Sequence, residues 1–285
     1  MDLMMIVYAV FVFLITTAIG SFLNVLIYRL PLKISLVKPS SHCPNCKCKI
    51  KWYDNIPIIS YIILRGKCRN CKEKISIRYL IVELLTGVIS TLIFLRFGIS
   101  LMSLFGILLF LLLIPLSFID VEHLIIPDSI IIGLLVLGVV GIFFNNINYD
   151  GCSITVDYKS KLISLGICIG FGLVVFLFEK LLHKELIGGG DIKLICVAGI
   201  ILGWQLLLIS LGLASIISCI IIIPINKYKS KKNKEKFDPN STELVQNDES
   251  NNSYFPFGPF LSIGIIVSYL FGLNLIDFWM SLIVK

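Results

Sequence analysis

The sequence predicts an all-α, polytopic membrane protein with about eight transmembrane helices and a cysteine-rich cytoplasmic loop domain. Three observations predict it. Apolar residues fill 57% of the 285 positions and charged residues only 15%, whereas a soluble domain is about a quarter charged. The apolar residues fall in long runs and lack the alternation of barrel strands, and lipid leaves only helices or closed barrels able to satisfy the backbone. The basic residues gather between those runs, above all in 33–78 and 227–236.

A spanning helix needs about 20 apolar residues. The first run, 4–27, has no basic residue before it and no small-residue cleavage site before Arg29, so it reads as a retained span. The segment 29–78 is the most basic loop, which makes it cytoplasmic and the N-terminus external. Runs 79–97, 101–119, 129–144 and 162–178 follow, and 260–284 closes the chain. Between them, 194–225 is too long for one ordinary span. Gly203-Trp204 in its middle divides it into 192–202 and 205–225, since glycine weakens a helix interior and tryptophan favours the interface. Two helices there also keep the lysines of 227–236 on the cytoplasmic side; one helix would put them outside.

The expected organisation is therefore a first helix (1–28), a cytoplasmic loop domain (29–78) and a membrane domain (79–285). Within the last, 227–255 is polar, rich in Lys, Asn and Ser, and expected as a flexible loop. The net charge of +7 sits in clusters flanking spans, which suits anionic membrane lipids and orientation, not nucleic acid.

Four of the nine cysteines form two knuckles, Cys43-Pro44-Asn45-Cys46 and Cys68-Arg69-Asn70-Cys71. Paired C-x2-C knuckles supply the four thiolates that structural zinc takes in a tetrahedron, and a reducing cytosol disfavours disulfides. Zinc would staple a loop too short to build a core of its own. His42 and Cys48 flank the first knuckle as alternative ligands. Cys168, Cys196 and Cys219 lie in spans as small hydrophobes, and Cys152 is expected outside and unpaired.

Two carboxylates stand in or beside apolar runs: Asp120, and Asp191 behind Gly188-Gly189-Gly190. Charge at membrane depth is costly and marks a functional candidate. About eight spans put both at the cytoplasmic face. Two carboxyls sharing a proton can deprotonate water and protonate a leaving group, because like charges a few ångströms apart do not both ionise readily. Helix dipoles favour an ionised Asp191 at a helix start and a protonated Asp120 beyond a helix end. The glycines allow close approach of a substrate strand or of the Asp120 helix. Asp128 reads as the N-cap of the fourth span. Glu83, inside the second span, needs a partner such as Arg29, Arg78 or Lys193. Glu122 and His123 are expected in solvent.

These residues resemble a family. Gly20-Ser21-Phe22-Leu23-Asn24, the two knuckles, Glu83-Leu84-Leu85-Thr86-Gly87, Ile119-Asp120 with Ile126-Pro127-Asp128, Gly188-Gly189-Gly190-Asp191-Ile192-Lys193-Leu194 and Pro256-Phe257-Gly258-Pro259 are similar, in order, to the prepilin peptidases, the type IV leader peptidases of the GxGD aspartic class. The resemblance implies a bacterial inner-membrane endopeptidase with Asp120 and Asp191 as its catalytic pair and zinc at Cys43, Cys46, Cys68 and Cys71. It implies type IV prepilin or pseudopilin precursors as substrates, each with a basic leader cut before an apolar helix. It also implies N-methylation of the new terminus using S-adenosylmethionine, which knuckle-bearing members generally carry out. A basic leader approaching basic loops would be drawn by the aspartates, Glu122 and anionic lipid. Segments 145–160 and 227–255 match no part of the family's pattern. The competing reading is an ion- or proton-coupled transporter using the aspartates as a relay.

Overall fold

The apolar runs fold as helices. A computed structural model describes residues 3–38, 41–43, 45–143, 158–182, 188–235 and 255–283. Its helices are α1 (Leu3–Arg29), the short α2 (Ile59–Ile63), α3 (Arg78–Phe97), α4 (Leu101–His123), α5 (Asp128–Phe143), α6 (Tyr158–Leu182), α7 (Gly189–Leu202), α8 (Trp204–Glu235) and α9 (Gly258–Ile283). Among the described residues, five helices are long and apolar enough to cross a membrane: α1, α3, α4, α6 and α8. The apolar stretches of α5, α7 and α9 are shorter. The all-α expectation holds, and only isolated bridges stand in place of strands among these residues.

α4 is the central post. Leu109, Leu113, Leu116 and Ile119, spaced by a helical turn, are all within 1% of complete burial. α1 packs on α3, α3 and α9 on α4, α5 and α6 on α7, and α8 on α9. α1 and α6 are the least covered and turn rows of Leu, Ile, Val and Phe outward, as lipid-facing helices do.

One end of this bundle collects most of the chemistry. The end of α4 meets the start of α9 through Asp120 and Gly258, and the start of α3 through Glu122 and Arg78. The start of α7 meets the start of α5 through Lys193 and Asp128. Because α7 and α9 both begin at this end, the chain must travel away and return between them. Gly203 is where it reverses. With φ +79° and ψ 166° it occupies a region essentially reserved for glycine, and it separates α7 from α8 as expected.

Two expectations are corrected here. α8 continues to Glu235, so the first part of the expected 227–255 loop is helical, while residues 236–254 lie outside the described residues. Lysine and glutamate extend a helix that already exists at little cost, because nucleation is the expensive step. α6 begins at Tyr158, ahead of the expected run 162–178, and Lys161, just outside that run, is 2% exposed with its Nζ donating to the Gly141 carbonyl at 2.9 Å. Cys152 lies outside the described residues.

Candidate active site

Asp120 sits in the last turn of α4, not beyond it, and is 5% exposed. The helix stops directly afterwards because Leu124 turns left-handed, φ +54°, and its N–H closes onto the Asp120 carbonyl at 2.9 Å. The Asp120 carboxylate accepts the Gly258 backbone N–H at 2.9 Å, so it caps the start of α9. A Cβ on Gly258 would lie 2.7 Å from the carboxylate oxygen. Only a glycine lets the amide come so close.

Asp191 is the third residue of α7, half-buried, with its own N–H bonded to the Gly188 carbonyl at 2.9 Å. One of its oxygens, Oδ1, is buried without a hydrogen-bond partner. The two aspartates are near enough to interact through their charges. Each now faces a helix N-terminus, Asp191 its own and Asp120 that of α9, which removes the dipole asymmetry expected between them. Of the three glycines, Gly190 packs against Ile126 in the link after the Asp120 helix; a Cβ there would meet it at 2.9 Å.

Ion pairs stand on both sides. Two residues beyond Asp120, Glu122 is exposed as expected, yet it is gripped through both oxygens by Arg78, 2.6 Å to Oε1. Two residues beyond Asp191, Lys193 reaches Asp128 at 2.7 Å. Asp128 is the first residue of α5 and serves α7 as well as its own helix. Glu83 finds none of the three cations suggested for it: its Oε2 accepts the Ile58 backbone N–H at 2.7 Å.

The cysteine lobe is built from two matching knuckles. The Cys43 N–H bonds the Cys48 carbonyl and the Cys68 N–H the Glu73 carbonyl, while Lys47 and Lys72 take the same left-handed turn at φ +54° and +60°. The bridges His42–Lys49 and Lys67–Lys74 close each one. The four sulfurs of Cys43, Cys46, Cys68 and Cys71 lie within 4.8 Å of one another, and Cys43 and Cys71 are 3.8 Å apart. A tetrahedron with metal–sulfur bonds of about 2.3 Å has edges of about 3.8 Å, so the set fits a tetrahedral metal ion. Cys48 stays outside it, its sulfur accepting from the Asn70 amide at 2.9 Å. Although the Cys48 backbone pulls it down, burial and neighbouring thiols push the Cys46 thiol up to about 12. Backbone amides of Cys71 and Asn70 bring Cys68 down to about 7. Four thiolates this close repel one another unless a cation sits among them. Arg69 clamps both oxygens of Asp54, at 2.6 to 3.1 Å, and holds that carboxyl below its usual range, fastening the second knuckle to the turn at Trp52–Asn55.

Two family models match the chain. Residues 14–97 match the bacterial peptidase A24 N-terminal domain, and residues 107–223 match the type IV leader peptidase family. The chain is similar to a prepilin leader peptidase/N-methyltransferase of Legionella pneumophila, 32% identical with 94% of this chain and 93% of the relative covered. Proteins of the same name from Neisseria gonorrhoeae (35% identical, 75% and 80% covered) and Pseudomonas aeruginosa (30% identical, 89% and 87% covered) are similar too. No solved structure matches.

Proposed function

The chain belongs to the type IV leader peptidase family, and from that premise we propose that it cuts the basic leader from type IV prepilin-like precursors, with Asp120 and Asp191 activating the attacking water. What supports these two residues is their position: both are drawn out of water at one end of the bundle, on different helices, within reach of each other's charge. One carboxylate takes a proton from water as its oxygen attacks the scissile carbonyl carbon. The other carboxyl lends its proton to the substrate as the C–N bond breaks, and the amine leaves neutralised. Gly258 fixes Asp120, and the glycines before Asp191 leave its approach free of side chains.

Zinc is the metal we assign to the four cysteines, as a structural staple remote from the proton transfers. S-adenosylmethionine is the donor we assign to the second activity. It would supply an electrophilic methyl carbon that leaves sulfur for the new terminal amine, which gives up a proton. The protein is an inner-membrane protein; we place its N-terminus outside and its aspartates at the cytoplasmic face, where the basic segments meet anionic lipid. The basic leader then meets aspartates whose neighbours Glu122 and Asp128 are already paired, which leaves lipid as the main source of attraction. A transporter finds no support among the relatives named above, each of which carries the peptidase name.

The test is cleavage of a purified prepilin by the full chain in lipid. Asp120→Ala and Asp191→Ala should each lower the rate by at least about 10²- to 10⁴-fold, the range for losing an acid–base group. Full cleavage by either variant would remove that residue from the mechanism.

A further inference from the structure

The cysteine lobe turns large apolar side chains outward. In α2, Ile59, Ile62 and Ile63 fall at i, i+3 and i+4, the spacing of one helix face, and are 54%, 63% and 69% exposed. α2 packs beside the turn at Trp52–Asn55, and Trp52 is 81% exposed. That turn is held firmly, because Arg69 clamps its Asp54 and Tyr53 meets the indole edge-on. Large apolar side chains gathered on the outside mark an interaction surface.

One buried acid sets the height of α2 against the bundle. Glu83 accepts the Ile58 N–H at 2.7 Å, and Ile58 leads directly into α2. Arg78 and Tyr79 open α3, residue types that sit where a helix enters a leaflet. Glu83 lies five residues further on, about 7 Å along the axis at a rise of about 1.5 Å per residue. Amphipathic helices lying in a membrane interface sink their apolar face about 5–10 Å into the boundary between headgroups and acyl chains. The start of α2 is tied at that depth. The tie strains the backbone: Ile58 takes φ +62° and ψ −54°, and the Ile59 N–H closes onto the Pro57 carbonyl. A β-branched residue avoids so tight a left-handed turn, and strain persists only where surrounding structure enforces it.

Charge decides what covers the exposed face. Residues 41–77 hold eight lysines and arginines against Asp54 and Glu73. Four thiolates around a divalent ion would subtract two charges and leave the lobe positive. Such a surface repels a cationic peptide and attracts anionic headgroups. We propose that the lobe docks on the anionic leaflet at this end of the bundle. Ile59, Ile62, Ile63 and Trp52 sink among the lipids, and the flanking Lys51 and Arg65 lie at the headgroups. Metal and lipid then share the work of holding a lobe with little core of its own.

The experiment uses the metal-loaded, full-length protein in nanodiscs that contain phosphatidylglycerol with a diazirine near the glycerol end of its acyl chain. Light should attach lipid to the peptide 52–65, which trypsin frees at Lys51 and Arg65. Label on α1 and α3 with none on 52–65 overturns the proposal. Saturating prepilin should leave the label in place; its loss assigns the face to an apolar peptide and overturns lipid as the occupant. Tryptic nicking of the intact protein at Arg65 reports how often the lobe lifts off. Ile62→Ser and Ile63→Ser should each quicken it at least about tenfold with metal content unchanged, the value of one buried isoleucine. Both side chains are exposed within the protein, so the lobe's own packing survives their loss. Nanodiscs of phosphatidylcholine alone should quicken nicking at least about fivefold, the value of one lysine at an anionic surface. Wild-type nicking in both variants overturns the insertion, and equal nicking in the two lipids overturns the preference for anionic lipid.

Discussion

The Gly258 amide limits how far the Asp120 carboxylate can move. A methyl group at 258 would sit 2.7 Å from that carboxylate, in surroundings too buried for the side chain to swing elsewhere. The amide itself would survive, so the variant tests position and not the hydrogen bond alone. Gly258→Ala should lower kcat for prepilin cleavage about 10²-fold with KM little changed, since misplacement near 1 Å has that effect. A variant with wild-type kcat would show that Asp120 needs no fixed position. The two aspartates were legible in the sequence because each is a charge against an apolar background. The work of Gly258 was not, because it depends on α9 returning to a residue 138 positions earlier. Glu83 misled for a related reason: a buried acid invites a search for cations, yet a backbone amide in a strained turn satisfies it.

At the scale of helices, the sharpest dependence is on Gly203. α7 has only 14 residues, and its first turn carries Asp191 while its last ends on that glycine. Alanine at φ +79° and ψ 166° would cost about 1–3 kcal/mol, and the chain would relieve it by re-aiming α7 or α8. Gly203→Ala should therefore lower the thermal midpoint and reduce cleavage together. Loss of stability with full cleavage by the folded fraction would separate the turn from the aspartates. This break could be read beforehand because glycine, tryptophan and the charge bias of the following lysines agreed. The continuation of α8 to Glu235 could not, since hydropathy reports where lipid ends and not where a helix stops. The Arg78–Glu122 and Lys193–Asp128 pairs were hidden as well, being contacts between helices that are distant in sequence.

Across the whole molecule, two units share one end and differ in what holds them together. The membrane helices around α4 have a dense apolar core. In the described part of the lobe from 41 to 77, Cys43 alone is buried. A segment with so little apolar burial would depend on a metal held by its four cysteines, and binding it would be much of its folding free energy. The lobe supplies none of the groups that hold Asp120. Removing the metal with a chelator should therefore loosen the lobe before it disturbs the aspartates. Metal content should fall from about one ion per chain, the stoichiometry of a four-thiolate site. Proteolytic nicking within 41–77 should quicken at least about tenfold, as the loss of metal-linked folding free energy would give, while prepilin cleavage keeps most of its rate. Re-addition of zinc should restore both. If cleavage instead fell in step with metal content, the lobe would also have to present the precursor to the aspartates, and the separation of the lobe from the peptidase chemistry would be wrong even with the aspartates correctly placed.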